Sequence, residues 1–468
     1  MVFASGIFLY FFLPVFLAVY YLLPRKWRSL WIATASYVFY GWWRPDFVIL
    51  MWVSTVVDYT CGKRIHAGHA EDRSGKPWLW LSLLTNLGLL AYFKYFNFGV
   101  DTLNAIFRAW EGPVLDVAKV VLPVGISFYT FQTLSYTIDV YWKRAKPVRS
   151  FMDFMCYVAL FPQLVAGPIV RYNTIAEQLH SREHTVSGFY RGVLAFQSGL
   201  VKKLLIADIL GSVADSAFST MTFAVGGGLQ PLDAWIGAIA YTFQIYFDFS
   251  GYSDMAIGLG LMMGFRFPVN FNQPYRSISI TDFWRRWHIS LSSFLRDYLY
   301  VPLGGNRKGP VRTYVNLSLT MLIGGLWHGA NWTFIAWGAY QGFWLVVERL
   351  FGKRPLYAGL PRALQIALTF ILVIFGWIFF RAPSLDGALV YFQAMFGLID
   401  GAEGALQLRT VHLVAGIAGA AVVWLFPTTQ RLIHRASPAW VLTLQLLFVL
   451  GLVHLHFVSH VPFLYFQF

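Results

Sequence analysis

One histidine, His328, lies near the middle of a long run that contains no charged side chain, residues 313–347. It belongs to the sequence GGLWHGANW (324–332), whose glycines allow a sharp turn and the close approach of another group. An ionisable residue inside an apolar segment predicts a functional site, and burial favours the neutral imidazole that accepts a proton. His328 is therefore a candidate general base. The alternative is a histidine that only packs and hydrogen-bonds between helices.

The second candidate, His288, lies in the one extended polar section of the chain, 266–312. Eight basic residues stand there against two aspartates, a net charge of +6. Within this section, residues 283–299 carry apolar side chains at helical spacing, which predicts an amphipathic helix in the cytoplasmic interface. His288 falls at the edge of the apolar stripe, so we expect its side chain to point inward.

The other histidines are weaker candidates. His180 and His184 fit an H-x-x-E-H pattern that supplies two zinc ligands, but two ligands do not close a tetrahedral site. His456 and His460 are expected at the interfacial end of the last helix. We predict no metal site, and no P-loop or dinucleotide fingerprint is present.

Two carboxylates interrupt another apolar block, in the sequence YFDFSGYSD (246–254). An unpaired charge in a membrane is costly, so Asp248 and Asp254 require partner arginines or a polar cavity. A structural ion pair is favoured over a catalytic role. Either interpretation indicates an aqueous interior.

The composition indicates that these residues lie on membrane helices. The 468 residues are 57% hydrophobic and only 12% charged, whereas a soluble chain carries about 25% charged residues. Stretches without any charged side chain, long enough or nearly so to cross a membrane, are 1–24, 363–380, 410–430 and 436–468. We predict an all-α, polytopic integral membrane protein with about ten to twelve membrane helices plus interfacial helices. The whole chain, 1–468, is expected to form one membrane-embedded domain.

Two further features of the composition exclude other classes of protein. The net charge of +14 does not indicate nucleic-acid binding, because Lys and Arg accumulate in cytoplasmic loops beside anionic membrane lipid. The two cysteines, Cys61 and Cys156, lie in apolar stretches and predict small buried residues rather than a disulfide framework.

Several motifs resemble the membrane-bound O-acyltransferase family. They are WRRWHISLS (284–292), FLRDYLYVPLGG (294–305) and LWHG (326–329). The opening of the chain, FPQLVAGP (161–168) and DFSGYSD (248–254) are similar to the branch of this family that acetylates bacterial polysaccharides, alginate above all. The similarity covers nearly the whole chain.

The resemblance implies a ring of membrane helices around a thin centre, where funnels from the two faces meet at His328. His288 matches the second family position, which many members fill with Asn. It implies a multi-pass protein of the bacterial inner membrane, with acetyl-CoA as the cytoplasmic acyl donor and no bound cofactor. It also implies a periplasmic or membrane-anchored acetyltransferase partner, or the polysaccharide itself, as acceptor.

A mechanism fits these residues. His328 accepts the proton of an acceptor hydroxyl, whose oxygen attacks the thioester carbonyl, while Trp327 or Asn331 stabilises the oxyanion. Arg285 and Arg286 suit a donor that bears phosphates.

Two other functions stay open. D-alanyl transfer to teichoic acid, by a related branch of the same family, requires a surface for a carrier protein. A secondary transporter also combines broken helices with intramembrane charges, and inverted repeats would favour it.

Overall fold

The computed structural model describes residues 1–222, 228–402 and 406–457. These residues confirm the all-α prediction. The exception is a parallel pair of two-residue strands, β1 (Gly228–Leu229) and β2 (Gly401–Ala402). Among the described helices, Arg362–Arg381 and Pro438–Phe457 are long and apolar enough to cross a membrane, and Phe8–Leu22 and Thr410–Trp424 are shorter apolar helices.

The chain divides into two compact units. The first comprises residues 1–193 and 256–268. Its helices are α1 (Leu13–Leu22), α2 (Arg25–Gly41), α3 (Phe47–Ala70), α4 (Lys76–Leu90), α5 (Phe96–Ala109), α6 (Ile126–Tyr141), α7 (Phe151–Ala159), α8 (Phe161–Leu164) and α9 (Tyr172–His180). π-Helical segments cover Phe8–Phe12 and Ala91–Tyr95.

The second unit comprises 194–255 and 269–468, as far as these are described. Two helices contribute residues to both units, α10 (Val186–Lys202) and α12 (Pro231–Met262). The others are α11 (Asp208–Thr222), α13 (Ile280–Arg286), α14 (Ile289–Leu295), α15 (Gly309–His328), α16 (Trp332–Leu350), α17 (Arg362–Arg381), α18 (Leu385–Met395), α19 (Thr410–Trp424), α20 (Thr429–His434) and α21 (Pro438–Phe457). π-Helical segments cover Lys203–Ala207 and Arg296–Tyr300, and a 3₁₀ turn covers Pro274–Arg276.

The second unit contains a closely packed antiparallel hairpin of α15 and α16. A Cβ on Gly338 would lie 2.5 Å from the carbonyl oxygen of Met321, and a Cβ on Gly325 would overlap the carbonyl of Phe334. Only glycine lets the two backbones approach this closely. The hairpin therefore fixes where α15 ends, and that end carries His328.

The uncharged run 313–347 forms two helices joined by a turn, and this turn occupies only part of the sequence 324–332 whose glycines allow it. α15 continues through Gly324 and Gly325, and only residues 329–331 are non-helical. A glycine can serve either a tight turn or the close packing of two helices. Gly325 serves close packing, because its backbone lies against the carbonyl of Phe334 in α16.

The prediction of one continuous helix over 283–299 is wrong. α13 ends at Arg286 and α14 begins at Ile289. Between them His288 adopts a left-handed conformation with φ +42°, which hydrophobic spacing does not reveal. The inward orientation of His288 is nevertheless correct, since the residue is 0% exposed.

The two carboxylates of α12 have cationic partners, as expected, but these are lysines and not arginines. The ammonium of Lys203 lies 2.9 Å from Asp248, and that of Lys202 lies 2.6 Å from Asp254. Thr429 also donates to Asp254, at 2.7 Å. These contacts connect α10 and the π-helical segment Lys203–Ala207 to α12 and α20.

The histidines of the H-x-x-E-H pattern have separate partners in the first unit. His180 lies 3.2 Å from the carboxylate of Asp153, and His184 lies 2.9 Å from the hydroxyl of Tyr20. Across the described ranges, no three His, Cys, Asp or Glu side chains are grouped so that they could hold a metal ion. His460 lies outside the described residues.

Candidate active site

The His288 side chain is held by a network centred on Asn270. The Oδ1 atom of Asn270 lies 3.1 Å from Nδ1 of His288 and accepts from the hydroxyl of Ser290 at 2.9 Å. The amide nitrogen of Asn270 donates to Ser253 at 3.1 Å, which fixes the orientation of the amide. Because Oδ1 can only accept, Nδ1 of His288 carries the proton and Nε2 presents a lone pair.

This imidazole is completely enclosed. The ring of Phe249 packs edge-on at 4.6 Å, and Nε2 has no hydrogen-bond partner among the described residues. His288 lies in the turn between α13 and α14, outside the long apolar helices, and burial lowers its pKa to about 3. The neutral form with an available Nε2 is therefore the stable one.

His328 stands at the end of α15 inside an aromatic cage. The ring centroids of Trp327, Trp337 and Phe380 lie 5.0, 5.2 and 5.1 Å from that of the imidazole. Gly329, the next residue, packs so closely on Phe334 that a Cβ there would overlap its ring. The chain turns sharply at this point, and the turn holds the histidine at 6% exposure.

Trp327 connects the two histidines. Its ring lies 5.0 Å from His328 and 6.1 Å from His288, centroid to centroid. Three residues that we selected from two separate motifs are thus neighbours in the second unit, and both imidazoles pack against the indole of Trp327. Their catalytic roles stay predictions.

The remaining candidates lie at the ends of the helices around this cluster. Asn331 caps α16 by accepting from the backbone N–H of Thr333 at 3.1 Å, and its amide nitrogen donates to the carbonyl of Pro383 at 3.0 Å. Arg286 forms a salt bridge with Asp282 at 2.9 Å within α13. Arg285, beside it, is exposed.

Sequence reasoning missed the residues that anchor α13 to α16. Glu348 accepts from two backbone N–H groups at the start of α13, and Gln341 accepts from the indole N–H of Trp284 at 3.1 Å. Glu348 was detectable as a carboxylate directly after an apolar run. The partners of Gln341 and Asn270 lie on other elements of the fold, so neither residue gave a local signal in the sequence.

The chain is similar to known O-acyltransferases along most of its length. The sequence model of the membrane-bound O-acyltransferase family matches residues 143–384. The "probable alginate O-acetylase" of Azotobacter vinelandii is 46% identical over 100% of both chains. That of Pseudomonas aeruginosa is 52% identical over 85% of this chain and 75% of its own. A peptidoglycan O-acetyltransferase of Helicobacter pylori is 37% identical over 85% of this chain and 80% of its own.

Proposed function

Since this chain belongs to the membrane-bound O-acyltransferase family and is an O-acyltransferase of the membrane, we propose that it acetylates an exported polysaccharide, with alginate as the polymer. Acetyl groups pass from a cytoplasmic donor across the bacterial inner membrane to the acceptor. The observation that carries this proposal is the pair of buried histidines packed against one indole, Trp327. The names of the relatives support acetyl as the acyl group and alginate as the polymer.

In the proposed reaction, His328 takes the proton of an acceptor hydroxyl and the oxygen attacks the thioester carbonyl carbon of acetyl-CoA. The carbon–sulfur bond breaks, and the leaving thiolate receives the proton from the imidazolium. Burial in the aromatic cage favours the neutral imidazole of His328, which is the form that can accept this proton.

Trp327 is the favoured oxyanion donor, because its indole is in contact with both imidazoles. Asn331 could serve only by releasing the carbonyl of Pro383, which its amide nitrogen now binds. His288 acts as a supporting residue, with its Nε2 lone pair oriented by Asn270. Arg285, which is exposed, binds the phosphates of the donor, and Arg286 assists when it exchanges Asp282 for phosphate.

The architecture we propose is a single membrane-embedded domain, 1–468, with about ten to twelve membrane helices in a ring and funnels that meet at His328. The section 266–312 lies at the cytoplasmic face, as its charge of +6 suggests. The acceptor is a periplasmic or membrane-anchored acetyltransferase, or the polysaccharide itself.

Deletion of the coding gene in its own host, with complementation by the full chain, tests this function. Acetyl esters on the exported polysaccharide should disappear on deletion and return on complementation, as measured by NMR of the purified polymer. Loss of D-alanyl esters instead would support the teichoic acid alternative, and loss of acetyl from peptidoglycan alone would overturn alginate as the polymer. A secondary transporter of unrelated solutes would leave every ester unchanged.

A further inference from the structure

The first unit contains a pocket that the acyl-transfer chemistry does not use. It lies between the end of α3 and the segment that follows α6, with a volume of about 490 Å³. Five of its lining residues carry cationic or protonatable nitrogen atoms, namely His66, His69, Lys143, Arg144 and Lys146. The remaining lining residues are Ala70, Val140 and Ala145, so no carboxylate lines the pocket.

The concave arrangement distinguishes these residues from an ordinary basic loop. Lys and Arg accumulate beside membrane helices on the cytoplasmic side, where they normally point separately into water. Here they surround one pocket, whose volume is in the range of small-molecule sites, about 300–1,000 Å³. Burial and the charges of Lys143 and His66 lower the pKa of His69, which lies in the polar last turn of α3. The three permanent positive charges of Lys143, Arg144 and Lys146 around one pocket favour an anionic occupant.

Two local features position the cations at the pocket. The guanidinium of Arg144 stacks over the ring of Trp142 at 4.3 Å, which restricts its movement without neutralising its charge. Lys143 adopts a left-handed backbone with φ +58° just after α6 ends, a position where glycine or asparagine is usual. A lysine there costs backbone free energy that either of those residues would avoid.

We propose that this pocket binds a phosphate group, carried either by an anionic lipid headgroup or by a soluble nucleotide. Arg and Lys together with imidazole N–H groups are suited to phosphate oxygens, because charge-assisted hydrogen bonds form from each. The proposal does not rest on acyl transfer, and it uses neither His288 nor His328. Its failure is therefore separate from failure of the proposed function.

The test uses the purified full chain in nanodiscs and measures binding rather than activity. In one arm, every chain also carries Arg285→Gln and Arg286→Gln, which remove the proposed donor site, and discs of phosphatidylcholine are titrated with radiolabelled adenosine 3′,5′-bisphosphate. In the other arm, discs contain phosphatidylglycerol as well, and native mass spectrometry counts the phosphatidylglycerol molecules that remain bound. Lys143→Asn suits both arms, because asparagine tolerates the left-handed backbone and should leave folding intact. Lys353→Asn is the matched control, as Lys353 is another exposed lysine with φ +67° and lies outside the pocket.

Binding in either arm should weaken about tenfold in Lys143→Asn, since one charge-assisted contact is lost. It should weaken further in the double variant with Arg144→Gln, while Lys353→Asn binds like the wild type. An effect in the first arm identifies a soluble nucleotide as the source of the phosphate, and an effect in the second identifies lipid. The proposal is overturned if neither probe binds, or if Lys353→Asn loses as much binding as Lys143→Asn.

Discussion

The carboxylate of Glu348, near the end of α16, accepts a hydrogen bond from the backbone N–H of Ile280 at 2.6 Å. Its second oxygen accepts from the N–H of Thr281 at 2.9 Å. A seven-residue helix such as α13 is not stable on its own, so this buried carboxylate and the Ser279 cap determine where it begins. Because α13 leads directly into the turn that holds His288, Glu348 positions that histidine from another helix.

Replacement of Glu348 should therefore disturb both folding and transfer. Glu348→Ala leaves the buried N–H of Ile280 without an acceptor, at about 1–3 kcal/mol, and also removes the acceptor of the half-buried N–H of Thr281, so it should lower the thermal midpoint in detergent and acetyl transfer together. Glu348→Gln retains one acceptor oxygen, so its thermal midpoint and its acetyl transfer should both fall less than those of Glu348→Ala. Glu177→Ala, which removes an exposed glutamate from α9, is the control. Wild-type stability and activity in Glu348→Ala would show that α13 is held by other contacts.

Asn270 should affect the rate of acetyl transfer, because it determines which tautomer His288 adopts. Asn270→Ala removes the acceptor of the Nδ1 proton, so the imidazole can turn or change tautomer, and we expect transfer to fall about tenfold. Asn270→Asp retains an acceptor at the same position and should retain more activity. Initial rates at equal protein level provide the measurement. If Asn270→Asp lost more activity than Asn270→Ala, orientation of His288 by this residue would be the wrong explanation.

The close contact between α15 and α16 predicts that one methyl group added at Gly338 lowers the stability of the protein. Gly338→Ala would push a Cβ onto the carbonyl of Met321 and should cost about 1–3 kcal/mol of stability through overpacking. Gly88→Ala in α4 is the matched control, because a Cβ there meets no atom within 4 Å, and this change should be neutral or stabilising. Thermal unfolding in detergent measures both. Equal midpoints for the two variants would contradict the packing of the hairpin.

The proposed cytoplasmic position of the section 266–312 can be tested with a cysteine at Lys308, an exposed residue just before α15. An impermeant maleimide should label Lys308→Cys only after the cells are made permeable, because the section obeys the positive-inside rule. The two native cysteines are buried and should contribute little background. Labelling from outside intact cells would reverse the topology.

The sequence was sufficient to select His328, Trp327 and His288, because an ionisable residue in an apolar run and an aromatic stripe are visible without coordinates. It was not sufficient for the backbone at His288. Hydrophobic spacing describes which side of an ideal helix a residue occupies, and it cannot report a single left-handed residue that divides the helix. The side chain still points inward, since burial of the surrounding aromatic rings sets its direction.

The same limit applies to the anchors of the site. Gly325 resembles a helix breaker in sequence, yet it continues α15 and makes room for α16. The partner of Glu348 lies on a helix whose start is 68 residues earlier, and such long-range pairs leave no local pattern. Asp248 and Asp254 do have cationic partners, but only the fold shows that these are lysines, Lys202 at the end of α10 and Lys203 directly after it.

The variant His328→Gln tests whether a neutral His328 is the proton acceptor in acetyl transfer. Glutamine keeps a polar side chain of similar reach but has no basicity, and general-base assistance is worth about 10²–10⁴-fold in rate. His434→Gln, at an exposed histidine that ends α20, is the matched control, and the amount of each protein in the membrane is measured alongside. We predict that His328→Gln inserts normally and that the exported polysaccharide is almost free of acetyl groups. Normal acetyl content at normal protein level would make His328 a packing residue and contradict the mechanism.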